Sequence, residues 1–133
     1  INFNYRSIEL PKNLIFLSAT FKGIEKNSEE IRNYMDELNI VKNMAQPSKI
    51  KTGGSTFKNP INQTDRKVWE LIRSSVSNET SYGDAFISHK HANFFVNKKN
   101  AKSKDMKSLI NFVKKKVKDQ TGIKLELEIV VVE

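Results

Sequence analysis

The stretch TGGSTFKNP, residues 52–60, concentrates chemically useful side chains in a chain that has only five glycines and three prolines. Glycines permit positive φ angles and let a backbone come close to a ligand, and consecutive N–H groups in such a turn can bind an anion. Ser55, Lys58 and Asn59 add a hydroxyl, a positive charge and an amide within five residues. The spacing before the lysine does not match a Walker-type phosphate loop. From these local properties alone, residues 52–60 could form either a structural turn or a ligand-binding loop.

Two histidines lie close together in the segment HKHA. His89 and His91 have no cysteine and no evident carboxylate partner, so they make a weak metal site. We predict no metal here. Both histidines could point to one side of a strand, as metal ligands sometimes do, but a polar contact to a ligand and a plain surface strand are the stronger alternatives.

Two further residues are candidates for acid, base or carboxylate chemistry. Glu128 lies beside Val130 and Val132, which indicates that its face of a strand is covered, and a covered face would raise its pKa. A solvated strand edge is the alternative. Arg6, next to Tyr5, has the bidentate fork that suits a carboxylate, although one arginine is a weak signal.

Composition limits the classes of protein that fit. With 133 residues, 38% hydrophobic and 29% charged, the chain can bury a core, which predicts one domain or one domain plus part of another. The lack of cysteine excludes disulfides, thiolate metal sites and thiol catalysis, and it fits a reducing cytoplasm. No apolar run is long enough to cross a bilayer, so no membrane partner is expected. The chain begins with Ile1 and shows no secretory signal, and we expect that its natural N-terminus is missing.

The net charge of +8 would attract anions such as phosphates, nucleotides or nucleic acids. Most of the excess lies in the last third of the chain, where a solvated lysine-rich helix face explains it. Phe94 and Phe95 lie in an apolar segment rather than on a basic face, which counts against RNA binding. We predict no nucleic-acid partner.

The first half of the chain is predicted to contain one strand and two helices. Residues 13–21, NLIFLSATF, have the apolar, β-forming composition of a buried strand. Asn27 is predicted to cap a helix, with Glu30 reaching back, that ends before Pro47. Asp65 is predicted to cap a second helix, and residues 74–83 are predicted to be a loop. The first helix should bury the stripe Ile31, Tyr34, Met35 and Leu38, and the second carries Val68, Trp69, Leu71 and Ile72.

In the second half, the segments DAFIS and NFFVN are predicted to be strands on either side of HKHA. Ser103 is predicted to cap a third helix that ends at Gly122. The last segment, KLELEIVVV, alternates as a strand with one buried face. The irregular order of helices and strands predicts an α+β fold. The third helix should bury Met106, Leu109, Ile110, Val113 and Val117, and the last strand Leu125, Leu127, Ile129 and Val131.

These segments together resemble a known family. YRS at 5–7, QP at 46–47, GGSTFKNP at 53–60 and GDAFISHKHANFFVN at 83–97 occur in order, followed by LELE at 125–128. This order resembles the C-terminal half of UDP-N-acetylenolpyruvoylglucosamine reductase, the flavoenzyme of peptidoglycan precursor synthesis. The likeness covers nearly the whole chain. Glu79 departs from it, because a glycine is common at that position.

The resemblance implies a reaction and its reagents. In the family, NADPH reduces bound FAD, and the flavin passes a hydride to C3 of the substrate, UDP-N-acetylglucosamine enolpyruvate. A protein acid then protonates C2, and Ser55 matches that proton donor. Arg6 and Glu128 match the catalytic pair at the substrate carboxylate, and Tyr5 precedes Arg6 as a substrate-binding residue.

The resemblance also implies contacts to the nucleotide. Asn59 and His91 fall where the family contacts the UDP part of its substrate, and Lys58 is a further candidate for the diphosphate. Gly53 and Gly54 would lie near the flavin.

The implied domain plan has four parts. Residues 1–22 would end an FAD-binding domain, 23–45 would form a connecting helix, 46–120 would bind the UDP-sugar, and 121–133 would form a strand returning to the N-terminal lobe. We therefore expect this chain alone to bind FAD poorly and not to turn over, and the parent enzyme to be monomeric and cytoplasmic. The alternative is a non-catalytic module that binds UDP-sugars.

Overall fold

The computed structural model describes residues 2–11 and 13–132. It divides into two compact units, residues 1–40 and 41–133. Within the described ranges, no helix has the length and apolar content that crossing a membrane requires.

The first unit begins with a small hairpin. Strands β1, Asn2–Asn4, and β2, Ser7–Glu9, pair antiparallel. Tyr5 and Arg6 form the turn between them, and Arg6 adopts a φ of 54°. The strand predicted over residues 13–21 is wrong, because this segment pairs with no strand among the described residues. Its apolar side chains are exposed, Leu17 by 93%, and an apolar segment becomes a strand only beside a partner backbone.

Helix α1, Ser28–Ala45, begins and ends where the sequence predicts. The side-chain oxygen of Asn27 accepts the N–H of Glu29 at 2.8 Å, as an N-cap should. The helix ends just before Gln46 and Pro47. Its expected burial is wrong, because no residue of α1 is buried and Tyr34 of the predicted stripe is 62% exposed.

The second unit is a four-stranded antiparallel sheet with two helices packed against each other. The elements of this unit are β3, Lys51–Ser55; α2, Val68–Ser75; β4, Ser81–Tyr82; β5, Ala85–Ile87; β6, Phe94–Asn97; and α3, Ser103–Thr121. The strand order is β3-β6-β5-β4, and helix α3 contacts β4 and β5. Aliphatic and aromatic side chains from both helices, from β4, β5 and β6, and from the segments that follow β3 and α3 form one core, in which Phe57 meets Phe95 edge to face at 5.7 Å.

The predicted apolar stripe of α3 is confirmed. Leu109, Ile110, Val113 and Val117 are buried, and Met106 packs against them from a half-buried position. The C-terminal end is also confirmed: Gly122 adopts the left-handed conformation, and its N–H donates to the carbonyl of Lys118 at 2.8 Å.

The N-termini of α2 and α3 differ from prediction by one or two residues. The caps are Lys67 and Lys102, where we expected Asp65 and Ser103. In each case a carboxylate three residues later accepts the cap N–H, Glu70 at 2.7 Å and Asp105 at 2.9 Å. The acidic side chain in the first turn therefore sets where each helix begins. The predicted loop at 74–83 also contains the end of α2 and strand β4.

The C-terminal strand is only partly formed. One antiparallel bridge joins Leu127 to Phe57, and Leu125 is buried as predicted. Val131 is 39% exposed, so the expected burial of that face ends early. The reason is that residues 56–58 are the only backbone that pairs with this segment in the described part of the chain.

The side chain of Asn93 joins the strand pair of 56–58 and 126–128 to the sheet. It is 3% exposed. Its Oδ1 accepts the N–H of Phe57 at 3.0 Å, and its Nδ2 donates to the carbonyl of the same residue at 2.9 Å. The Asn93 carbonyl accepts the N–H of Thr56 at 2.8 Å. One residue thus provides three hydrogen bonds to the segment that follows β3.

Asn93→Ala should lower the free energy of unfolding by about 3 kcal/mol, because it leaves both backbone groups of Phe57 buried without a partner. Urea unfolding measures this change. Ser75→Ala is the matched control, since the Ser75 hydroxyl is buried and bonds no group in the described ranges; it should shift stability by less than about 1 kcal/mol. Equal losses in the two variants would contradict the role of the Asn93 amide.

Candidate functional site

The glycine stretch lies where β3 leaves the sheet. The pairing of β3 with β6 shifts register between Thr52 and Ser55, and Gly54 takes a φ of 84° inside that bulge. The hydroxyl of Thr52 donates to the carbonyl of Phe95 at 2.8 Å and accepts the N–H of Gly54 at 3.2 Å. Positive φ and the lack of a side chain let the chain turn here. Ser55 is therefore presented, half-buried, at the end of a fixed bulge.

The segment that carries Glu128 lies alongside this stretch. The N–H of Glu128 donates to the carbonyl of Thr56 at 2.9 Å, one residue after Ser55. A methyl group at Gly53 would come 3.5 Å from Cγ2 of Ile129, which is ordinary contact. The structure thus brings the backbones around Ser55 and Glu128 together. Glu128 is half-buried, but Val130 and Val132 are each 87% exposed, so the covered strand face predicted from them is wrong.

Lys58 and Asn59 continue from the same segment toward α2. The N–H of Lys58 donates to the carbonyl of Glu126 at 2.9 Å. Oδ1 of Asn59 accepts the N–H of Val68 at 3.0 Å. Asn59 therefore helps to fix the first turn of α2, a structural role that the sequence did not indicate.

His91 lies in the turn between β5 and β6, as the strands predicted on either side of HKHA require. The alternative of a surface strand that carries both histidines is therefore excluded. The His91 ring packs edge to face on Phe94, with centroids 4.9 Å apart, and lies 6.4 Å from the ring of Trp69. Nδ1 of His91 accepts the N–H of Asn93 at 3.2 Å. The remaining ring proton is therefore on Nε2, which makes this nitrogen a donor.

Burial lowers the pKa of His91 below its ordinary value of 6.5, and a hydrogen bond to its own backbone opposes that effect. The positive charge of Arg73 lowers the pKa further. Burial and the Arg73 charge both favour the neutral imidazole.

His89 points to a different neighbour. Its Nδ1 lies 4.0 Å from the carboxylate of Glu79, and both side chains are mostly exposed. No group of three histidine, aspartate or glutamate side chains that could hold a metal occurs within residues 2–11 and 13–132.

Tyr5 and Arg6 belong to the first unit. The guanidinium carbon of Arg6 lies 5.8 Å from the centre of the Tyr5 ring. In the second unit, an open cleft of about 610 Å³ contains none of the predicted site residues. Its lining is Lys114, Lys115, Lys118, Asp119, Lys124, Leu125 and Glu126.

Comparison with known proteins decides the family. Residues 46–132 match the family model of the C-terminal domain of UDP-N-acetylenolpyruvoylglucosamine reductase. This chain belongs to that reductase family. The matched range contains Ser55, Lys58, Asn59, His91 and Glu128.

Individual reductases show the same likeness. The chain is 61% identical over 127 residues to UDP-N-acetylenolpyruvoylglucosamine reductase of Pelagibacter ubique, and 46% identical over 129 residues to that of Rickettsia bellii. The two alignments include 96% and 97% of this chain, respectively. The chain spans only 42% of the length of each relative. A crystal structure of the reductase from Thermus caldophilus superposes with a TM-score of 0.61 at 34% identity, covering 79% of this chain and 35% of that one. The resemblance and the α+β fold are confirmed.

Two side chains next to His91 were not predicted from the sequence as site residues. Trp69 and Arg73 are one turn apart on α2, and the guanidinium carbon of Arg73 lies 5.5 Å from the centre of the Trp69 ring. The i, i+4 spacing of Trp69 and Arg73 can be read from the sequence. Their proximity to His91, which lies in a turn distant in sequence, cannot.

The lowered pKa of His91 predicts a pH dependence. The unfolded chain takes up this proton first, so the free energy of unfolding should fall as the pH is lowered from neutrality through 6.5 toward the lower folded-state pKa. NMR titration of the imidazole should give a midpoint below 6.5. His91→Gln should remove this part of the slope and His89→Gln should keep it. The same slope in the His91 variant would contradict the assignment.

Proposed function

We propose that this chain forms the substrate-binding part of a cytoplasmic flavoenzyme that uses NADPH to reduce UDP-N-acetylglucosamine enolpyruvate during peptidoglycan precursor synthesis. The observation that carries the proposal is the pairing of residues 56–58 with 126–128, which puts the backbone of Glu128 next to that of Ser55. Both residues lie in the range that matches the reductase family. The names of the relatives supply the substrate class.

Ser55 is the proposed proton donor to C2 of the substrate. A serine hydroxyl is a weak acid in water, so it can act only on a strongly basic carbanion or enolate. Such a donor must be held at a fixed place and shielded from bulk water. The bulge at Gly54 and the half-buried position of Ser55 support both requirements.

Arg6 and Glu128 are the proposed groups at the substrate carboxylate. The Arg6 fork would bind the carboxylate and stabilise the negative charge that develops there. Tyr5, whose ring lies next to the Arg6 guanidinium, would help to orient it. Glu128, which is half-buried, would act at the same end of the substrate as Arg6.

Lys58, Asn59 and His91 are the proposed contacts to the nucleotide. Lys58 supplies a point charge that suits a diphosphate. Nε2 of His91 supplies a hydrogen-bond donor, because its Nδ1 is already occupied by the Asn93 N–H. Asn59, whose Oδ1 fixes the start of α2, is the third proposed contact.

We propose that a flat cofactor lies on one side of the glycine stretch. A methyl group added at Gly54 would meet no atom within 4 Å, so the backbone there is open to a ring system. Gly53 and Gly54 would hold that edge of the FAD. When bound and reduced, FAD supplies the hydride for C3 of the substrate.

Ser55→Ala tests the proton-donor role in a chimera in which this chain replaces the matching 127 residues of the Pelagibacter ubique relative. Rapid mixing separates reduction of the flavin by NADPH from its reoxidation by the enolpyruvyl substrate. Only the second step should slow, by about a hundredfold or more, because proton transfer belongs to that step.

Ser88→Ala is the matched control, since Ser88 is a buried serine of the same unit outside the glycine stretch. Equal slowing of both steps in the Ser55 variant would exclude a specific role in proton donation. Substrate binding by the chimera without any reoxidation of the flavin would instead support a non-catalytic UDP-sugar-binding module.

Glu128→Gln in the same chimera should lower kcat by about tenfold or more and change KM much less, because the carboxyl group acts on charge that develops during the reaction. Glu126→Gln is the control on the same segment, two residues away and exposed. An unchanged kcat in the Glu128 variant would contradict the catalytic role and support the alternative, a solvated residue at a strand edge.

A further inference from the structure

Helix α2 presents a cation and an aromatic ring together on its outer face. Trp69 is half-buried and Arg73 is exposed. The Arg73 guanidinium carbon lies 5.5 Å from the centre of the Trp69 ring, within the range of a cation–π contact. This contact limits the conformations of the arginine side chain and keeps its planar fork near the ring.

The pair lies next to His91. The Trp69 and His91 rings are 6.4 Å apart at a tilt of 59°. The charge of Arg73 is close enough to the imidazole to affect its protonation. Trp69, His91 and Arg73 therefore form one continuous surface of ring, donor and cation, built from α2 and from the turn between β5 and β6.

Within the described ranges, no carboxylate forms an ion pair with Arg73. A structural arginine would usually be engaged by an acidic side chain or by backbone carbonyls. Here the ring contact orders the guanidinium and leaves its N–H groups available for an anion. An ordered arginine loses less side-chain entropy when it binds a ligand.

We propose that Arg73 binds the diphosphate of the nucleotide and that Trp69 is the positioning residue that holds the guanidinium and the His91 ring in place. The inference rests on the proposed function, because it adds two residues to the nucleotide end of that site. The guanidinium fork matches phosphate oxygens in a bidentate manner, and Nε2 of His91 offers a neutral donor beside it. Together they would favour a nucleoside diphosphate over the nucleoside alone.

Trp69 is the only tryptophan in the chain, so its fluorescence reports directly on this surface. Titration of the chain with UDP should give a saturable change in emission, and uridine should bind more weakly. Inorganic diphosphate should compete with UDP. Arg73→Gln should weaken UDP binding about tenfold, the loss expected for one charge-assisted contact, and should leave uridine binding unchanged.

Three variants separate a specific contact from general attraction. Arg66→Gln removes a guanidinium at the start of the same helix, one that contacts Glu70 and Ser74 rather than Trp69, and should keep the affinity. Arg73→Lys should restore part of it. Trp69→Leu, followed by calorimetry, should weaken UDP binding several-fold with little effect on uridine. Circular dichroism checks that each variant folds.

Unchanged UDP affinity in Arg73→Gln, or an equal loss in Arg66→Gln, would overturn this inference and leave the proposed reductase function standing. A wild-type chain that does not respond to UDP would overturn the inference together with the proposed nucleotide end of the site. The chimera gives a further distinction. If its turnover depends on Ser55 but Arg73→Gln leaves the KM for the enolpyruvyl substrate unchanged, only the Arg73 contact would be contradicted.

Discussion

The hydrogen bonds of Asn93 hold the parts of the candidate site together. Its side chain occupies both backbone groups of Phe57, and the ring of Phe57 packs on Phe95 in the core. On one side of Phe57 the chain carries Ser55, and on the other it carries Lys58 and Asn59. Because a buried amide with two partners is costly to displace, the spacing of these residues is fixed by the core.

The same arrangement gives several residues two roles. Asn59 is a candidate nucleotide contact, yet its Oδ1 also holds the first turn of α2. His91 is another candidate, and its Nδ1 accepts the N–H of Asn93. Substitutions at these two positions would disturb structure and recognition together. Ser55 and Arg73 are better positions for separating the two effects.

Local patterns predicted the helices well and the strands less well. The stripe and the glycine end of α3 follow from i, i+3 and i+4 spacing within one segment. Residues 13–21 have the composition of a strand, but a strand depends on a partner that composition does not specify. Residues 125–131 show the same limit, since pairing stops after one bridge. The cap positions were missed because Glu70 and Asp105, rather than Asp65 and Ser103, engage the first N–H groups.

Recognition of a charged substrate requires more than the net charge of +8. The lysines of α3 lie mostly on its exposed face, where salt screens them and their side chains keep their freedom. They can raise the local concentration of any anion, but they do not distinguish a nucleoside diphosphate from other polyanions. Discrimination needs groups whose positions are fixed before the ligand arrives. In the second unit the ring of Trp69, the occupied Nδ1 of His91 and the bulge before Ser55 provide such fixed positions. In the proposed site, recognition would therefore depend on these few ordered groups, while the lysine-rich surface would contribute long-range attraction.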